Sequence, residues 1–101
     1  MSGAVTKREL VRAVVEQTGL RRGDVCVIVQ RLLDRIVETM AGGKRIELRH
    51  FGVFEPLKKR PRLARNPRTG EKVLVPERVV PHFKPSRQMR RAVAGHKRAA
   101  D

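Results

Sequence analysis

The segment from Lys58 to Lys72 sets the strictest limit on how this chain can fold. Seven of its fifteen residues are lysine or arginine, and Glu71 is its only acidic residue. Almost nothing in the segment is apolar, so it cannot be buried in a core. The cations are Lys58, Lys59, Arg60, Arg62, Arg65, Arg68 and Lys72. We therefore expect the segment to project from the folded body.

The middle of this segment has the composition of a turn. Asn66, Pro67 and Gly70 combine a proline that fixes one backbone dihedral with a glycine that permits a positive one. Because Val73 to Val75 then resumes a strand pattern, we predict a two-stranded ribbon arm over about residues 56–78 that turns near Pro67. Two prolines of the outgoing strand lack a ladder donor, which predicts irregular pairing there. These are Pro56 and Pro61.

The first forty residues predict two helices. Thr6 and Glu9 form a capping box, and apolar residues at helical spacing predict a helix over residues 7–18. A second apolar stripe runs from Val25 to Met40, where two glycines end the pattern. This stripe is more than a chain of 101 residues can cover by itself. We therefore expect a partner subunit to complete the core, and we expect the lone Cys26 to face that core.

Alternating polar and apolar residues predict a hairpin after the helices. Ile46 and Leu48 alternate with charged residues, and Val53 to Leu57 can return as a second strand. A short final helix is predicted after Pro85 and Ser86. The three aromatic residues are interpreted as core anchors, since base-stacking surfaces usually combine several exposed aromatics. They are Phe51, Phe54 and Phe83.

The charge balance requires a polyanionic partner. Lysine and arginine number 24 against 10 acidic residues, which gives a formal net charge of +14. Charge alone does not distinguish DNA, RNA and an anionic membrane. However, no apolar run is long enough to span a membrane, and no secretory signal is present, so we expect a cytoplasmic protein without a membrane partner.

The residues typical of enzymes are absent or scattered. His50, His82 and His96 are far apart, the serines are Ser2 and Ser86, and no phosphate-cradling glycine loop or paired-carboxylate motif occurs. The single cysteine has no neighbouring residues at a metal-ligand spacing. We expect no catalytic residues, no metal, no cofactor and no small-molecule substrate.

Three motifs together resemble the bacterial HU and integration host factor family. They are the Phe-Gly-Val-Phe bend at 51–54, the Arg-Asn-Pro-Arg-Thr-Gly-Glu run at 65–71, and the Val-Pro-His-Phe-Lys-Pro run at 80–85. The last run and residues 45–49 look more like the beta subunit of integration host factor than like HU. The resemblance covers nearly the whole chain.

This resemblance implies an α+β fold. Its form is an intertwined dimer with a helical body, a three-stranded antiparallel sheet in each subunit and an extended two-stranded β-ribbon arm. The chain would be a single DNA-binding domain over residues 1–101, with a basic tail from about residue 95 to 101. Whether the partner is a second copy or a related subunit stays open.

The resemblance also implies a function. The protein would be an architectural protein of the nucleoid that binds double-stranded DNA in the minor groove, bends it and compacts it, assisting recombination, replication or transcription. Pro67 would intercalate between base pairs at the arm tip, a mechanism described for this family. The alternative is a basic RNA-binding or ribosome-associated protein, although the chain lacks the interleaved aromatics and the glycine loop of common RNA modules.

Fifteen residues are expected to contact DNA. Glu47 and Arg49 match positions that contribute to sequence preference in the beta subunit of integration host factor, with a solvated strand face as the open alternative. The full set is Arg45, Glu47, Arg49, Lys58, Lys59, Arg60, Arg62, Arg65, Asn66, Pro67, Arg68, Lys72, Arg78, Lys84 and Arg87. Three residues depart from the family pattern by standing where it usually has glycine. They are His50, Ala64 and Ser86.

Overall fold

The structure is a computed structural model that describes residues 3–95. The chain divides into two compact units, Met1–Glu38 and Thr39–Asp101. The elements are α1 Lys7–Thr18, α2 Arg22–Ala41, β1 Ile46–Leu48, β2 Gly52–Lys59, β3 Arg62–Arg65, β4 Lys72–Val75, β5 Arg78–Pro85 and α3 Arg87–Gly95. The expected basic tail lies outside the described residues, apart from Gly95.

Helix α1 has the predicted limits because both of its ends are capped. The Thr6 side chain accepts a hydrogen bond from the Glu9 N–H, and the Glu9 carboxylate accepts one from the Thr6 N–H at 2.9 Å. At the other end Gly19 is left-handed, with φ of 74°, and its N–H donates to the Val15 carbonyl. A glycine adopts this conformation without a steric penalty, so the helix stops there.

Helix α2 leaves most of its apolar stripe uncovered within the single chain. Among residues 3–95, the only buried hydrophobic side chains are Val11 and Val25. Side chains farther along the stripe are exposed, with 57% of Leu32 and 66% of Val37 accessible to solvent. No described helix is both long enough and apolar enough to cross a membrane.

Cys26 is not buried within the single chain. Its side chain is exposed and lines a shallow hollow between α1 and α2. Val25 occupies the inward position at this level of the helix, and the next residue points about 100° around the axis because there are about 3.6 residues per turn. Since the expected core includes a partner subunit, the interpretation of Cys26 as a core residue stays a prediction.

The predicted three-stranded antiparallel sheet has the order β1-β2-β5. Paired residues share a face of a sheet, so the register places Ile46, Phe54 and Phe83 in one row. The neighbouring row, on the opposite face, contains Glu47, Val53 and Lys84. The sheet therefore has an apolar face and a charged face.

The three phenylalanines form one cluster. The rings of Phe54 and Phe83 lie 4.7 Å apart between centroids, and Phe51 lies 5.5 Å from Phe83. Gly52 is buried beneath this cluster, and a Cβ on it would lie 2.6 Å from the Phe83 ring and from the Lys84 carbonyl. Phe54 and Phe83 are only half-buried and Phe51 is 46% exposed, so the anchors complete no closed core within the chain.

The basic segment folds as a separate two-stranded sheet of β3 and β4. The ladder of β2 and β5 runs on to the pair Lys59 and Arg78, and the second sheet begins at the pair Arg62 and Val75. The predicted ribbon at 56–78 is therefore present with one interruption. Pro56 lies inside a continuous ladder, so of the two expected irregularities only the one at Pro61 occurs.

Candidate nucleic-acid interface

The tip of the arm is held by hydrogen bonds within a short loop. The Asn66 N–H donates to the Glu71 carbonyl at 2.8 Å, and the Gly70 N–H donates to the Asn66 carbonyl at 2.7 Å. Gly70 has φ of 79°, which glycine adopts readily. The Asn66 side-chain oxygen accepts a further bond from the Arg68 N–H at 2.8 Å. These bonds fix the loop from both sides of Pro67.

Pro67 is thereby presented as a rigid, exposed apolar ring at the end of the ribbon. Proline has no N–H, so its entry into an apolar space would leave no donor unsatisfied. Its two neighbours are already hydrogen-bonded to each other through the Asn66 side chain. The arrangement is chemically suited to insertion into a stacked, apolar partner.

The arm carries cations directly opposite one another. Arg65 pairs in register with Lys72 at the tip, and Lys59 pairs with Arg78 at the base. Like charges at directly opposed positions destabilise an antiparallel pair. Within residues 3–95, none of these four side chains forms an ion pair. An anion between the strands would relieve the repulsion, so these positions favour a polyanionic ligand.

The arm has no core of its own. Leu63 and Leu74 lie opposite one another and are 66% and 65% exposed. They share a face with Arg65 and Lys72, because side chains two residues apart point to the same side of a strand. One face of the arm therefore carries an apolar pair and, next to it on the side of the tip, a cationic pair.

A second cluster of expected site residues lies on the charged face of the three-stranded sheet. Arg45, Glu47, Arg49 and Lys84 line one open groove of about 750 Å³. Glu47 is engaged there, because its carboxylate lies 3.2 Å from the Arg45 guanidinium. Such an exposed ion pair is weak and leaves both groups free to exchange partners. The groove can accept an anion at its arginines and lysine.

The remaining expected residues are more dispersed. Lys58 is paired with Glu77 at 3.2 Å, so one arm cation is partly neutralised at the base. Arg60 lies in the interruption between the two sheets. Arg87 begins α3 and does not line the groove.

Sequence reasoning treated His50 as a departure from a family pattern and as one of three scattered histidines, whereas the structure places it in the groove. It has φ of 69°, and its Nδ1 lies 2.9 Å from Oε1 of Gln88 in α3. A histidine standing where a left-handed turn needs glycine was the available signal. Ser86, another such departure, caps α3 by accepting a bond from the Met89 N–H.

The part of the chain that the structure describes offers no metal site, since no three His, Cys, Asp or Glu side chains converge there. Among the described residues, His50 lies in the turn after β1 and His82 on β5, and only His50 lines the groove. The cations that line the groove and the arm are suited to binding an anion.

The sequence matches a known family over most of its length. The profile of the family described as bacterial DNA-binding proteins matches residues 5–94. The chain is 45% identical to integration host factor subunit beta of Alkalilimnicola ehrlichii over 87 residues, which cover 85% of this chain and 87% of that protein. It is 44% identical to the same subunit of Halorhodospira halophila, with 88% of each chain covered.

Solved structures with the same fold include an HU protein in a cocrystal with DNA. That protein, Anabaena HU, superposes with a TM-score of 0.84 at 33% identity, covering 91% of this chain and 100% of the other. HU from Thermotoga maritima gives a TM-score of 0.63 at 27% identity, covering 88% and 98%.

Proposed function

This chain belongs to the family of bacterial DNA-binding proteins, and on that premise we propose that it bends duplex DNA with its ribbon arm lying in the minor groove. Members of the HU and integration host factor family are architectural proteins and not enzymes. Its ligand is therefore the DNA double helix, and binding produces a bend in the duplex.

The observation that carries the proposal is the exposed Pro67 on a cationic ribbon. Its ring acts as a wedge that separates one base step, while cations such as Arg65 and Lys72 neutralise phosphates beside it. Unstacking costs about a few kcal/mol per step, and smooth bending by about 40–90° adds of order 1–6 kcal/mol. Phosphate contacts that become possible on the bent duplex offset both costs.

The working form is a dimer. The uncovered stripe of α2, with Leu32 and Val37 exposed, needs a second subunit to remove it from water. The related proteins named subunit beta come from a protein with more than one kind of subunit, so the partner is either a second copy or a related chain. Residues 1–101 act as one domain within this dimer, and the protein resides with the chromosomal DNA of the nucleoid.

The proposal is tested by measuring bending and affinity separately. Pro67→Ala should bend linear duplex less, as fluorescence transfer between the DNA ends reports, yet keep most of its affinity for nicked or pre-kinked duplex. Pro81→Ala is the matched control, because Pro81 is exposed but lies in the sheet. Equal bending by Pro67→Ala and the unchanged protein would refute the wedge, and tighter binding to an RNA duplex of matched length would refute the DNA function.

A further inference from the structure

His50 has a conformation that its residue type disfavours. Among residues 3–95 it is the only non-glycine residue with positive φ. Left-handed backbone at a bulky side chain is uncommon and costs free energy, and such strain is typical of positions where the side chain has a use. The histidine ring should therefore have a use that a glycine, which adopts this turn without strain, could not supply.

The contact with Gln88 engages one nitrogen of the ring. With the Gln88 Oε1, which can only accept, turned toward the ring, Nδ1 of His50 is the donor across their 2.9 Å contact. In a neutral ring with Nδ1 protonated, Nε2 has a lone pair and no proton. Only the imidazolium form has a second N–H to offer while the first stays on Gln88.

The surroundings of His50 make that second N–H useful. The charged groups lining the same groove are Arg45, Glu47 and Arg49 beside β1, Glu55 on β2 and Lys84 on β5, while α3 contributes the neutral Gln88 and carries Arg87 at its start. The groove thus has three cations and two carboxylates, one of them paired with Arg45. A proton on His50 would double a net charge of only +1.

We infer that His50 is a proton-dependent phosphate contact, donating through Nε2 to a DNA phosphate while its Nδ1–H stays on Gln88. The inference rests on the proposed DNA-binding function and adds a regulator to it. A phosphate oxygen accepts but cannot donate, so the contact forms only when His50 is protonated. DNA binding should then take up protons and be tighter at low pH.

The test is calorimetric titration of kinked duplex into the dimeric protein, at fixed ionic strength, in two buffers of different ionisation enthalpy. For the unchanged protein we expect proton uptake on binding and a Kd about tenfold higher at pH 8 than at pH 5.5, the scale of one charge-assisted hydrogen bond. His50→Gly and His50→Asn both tolerate the left-handed turn, so each should fold while losing the uptake and binding like the unchanged protein at pH 8. His82→Gln, on an exposed histidine outside the groove, should retain the uptake.

A fourth variant separates a phosphate contact from general charge. In Gln88→Met, the neutral ring is free to donate either proton, so the affinity at pH 8 should rise toward that at pH 5.5. Retained proton uptake in His50→Gly, or its loss in His82→Gln, would overturn the inference. If the unchanged protein binds duplex DNA weakly at every pH, the proposed function fails instead.

Discussion

Pro61 of the outgoing arm strand lies opposite Pro76 of the returning strand. In the flanking register pairs, 59 with 78 and 62 with 75, the two residue numbers add up to 137, and paired residues of one antiparallel register share such a sum. The numbers 61 and 76 also add up to 137. The two prolines therefore occupy matching positions in the gap between the two sheets. Neither can donate to the other strand, so the ladder is open there on both sides.

The gap also shifts the phase of the hydrogen bonds. The Ser86 N–H donates to the Phe51 carbonyl, so hydrogen-bonded pairs of the three-stranded sheet fall on odd-numbered residues of β2. The Asn66 N–H donates to Glu71, so those of the arm fall on even-numbered residues of β3. Between the last hydrogen-bonded pair of the three-stranded sheet and the first one of the arm, each strand therefore has one residue more than the regular alternation of pairs requires. Pro61 and Pro76 fix the position of this extra residue.

Replacing both prolines should release this phase shift. In a Pro61→Thr, Pro76→Thr variant, the extra residue on each strand can move along the ribbon, so arm amides should give broadened or doubled NMR signals. The free energy of unfolding should fall by less than about 0.5 kcal/mol, as is usual for surface substitutions. Pro81→Ala, inside the continuous ladder, should keep one sharp set. A single unbroadened set of arm signals in the double variant would contradict the argument.

Gly52 is predicted to be a position of the sheet where an added side chain lowers stability. A Cβ there would lie 2.6 Å from both the Phe83 ring and the Lys84 backbone, so Gly52→Ala should lower the free energy of unfolding by about 1–3 kcal/mol. Gly23→Ala, with nothing within 4 Å in α2, should raise it by up to about 1 kcal/mol. Urea unfolding of the two variants measures both. Equal stability of the two variants would mean that the aromatic cluster shifts to accommodate the methyl group without a loss of free energy, and would contradict the prediction.

Local signals account for the parts of the fold that could be predicted from the sequence. Helix α1 has its predicted limits because Thr6, Glu9 and Gly19 specify both ends by short-range hydrogen bonds. Helix α2 begins at Arg22, three residues before Val25, the first residue of the predicted apolar stripe, because its first turn is polar and apolar periodicity does not detect it. The family assignment from three motifs is confirmed by the profile match over residues 5–94.

Long-range register accounts for what could not be predicted. Pro56 and Pro61 are alike in sequence, yet only Pro61 interrupts a ladder, because Pro56 falls on a pair that needs no hydrogen bond between its strands. Likewise, nothing local places His50 beside Gln88, 38 residues later. The site residues expected on the arm and beside β1 occupy the expected elements, while their contact with DNA remains a prediction.

The exposed stripe of α2 predicts that dimer assembly depends on single apolar side chains. Leu32→Gln should weaken the dimer, since burying a leucine contributes about 1.5–3 kcal/mol, and a symmetric dimer would lose it twice. Arg31→Gln, the adjacent exposed position, is the matched control and should leave the dimer intact. Sedimentation equilibrium over a dilution series measures the dissociation constant. If the two variants dissociate alike, the stripe is not the subunit interface.

The opposed cations of the arm predict opposite effects on stability and on DNA binding. Arg65→Gln removes a like-charge pair with Lys72, so the free protein should be no less stable. The same change removes one phosphate neutralisation, so the slope of log Kd against log salt should fall by about 0.9 for each arm in contact. Arg12→Gln, exposed on α1, is a control of equal charge change that should leave the slope unaltered. Repulsion in the free protein and attraction in the complex both involve the Arg65 side chain. A variant that lost stability and kept its salt slope would therefore show that Arg65 stabilises the fold and does not bind DNA.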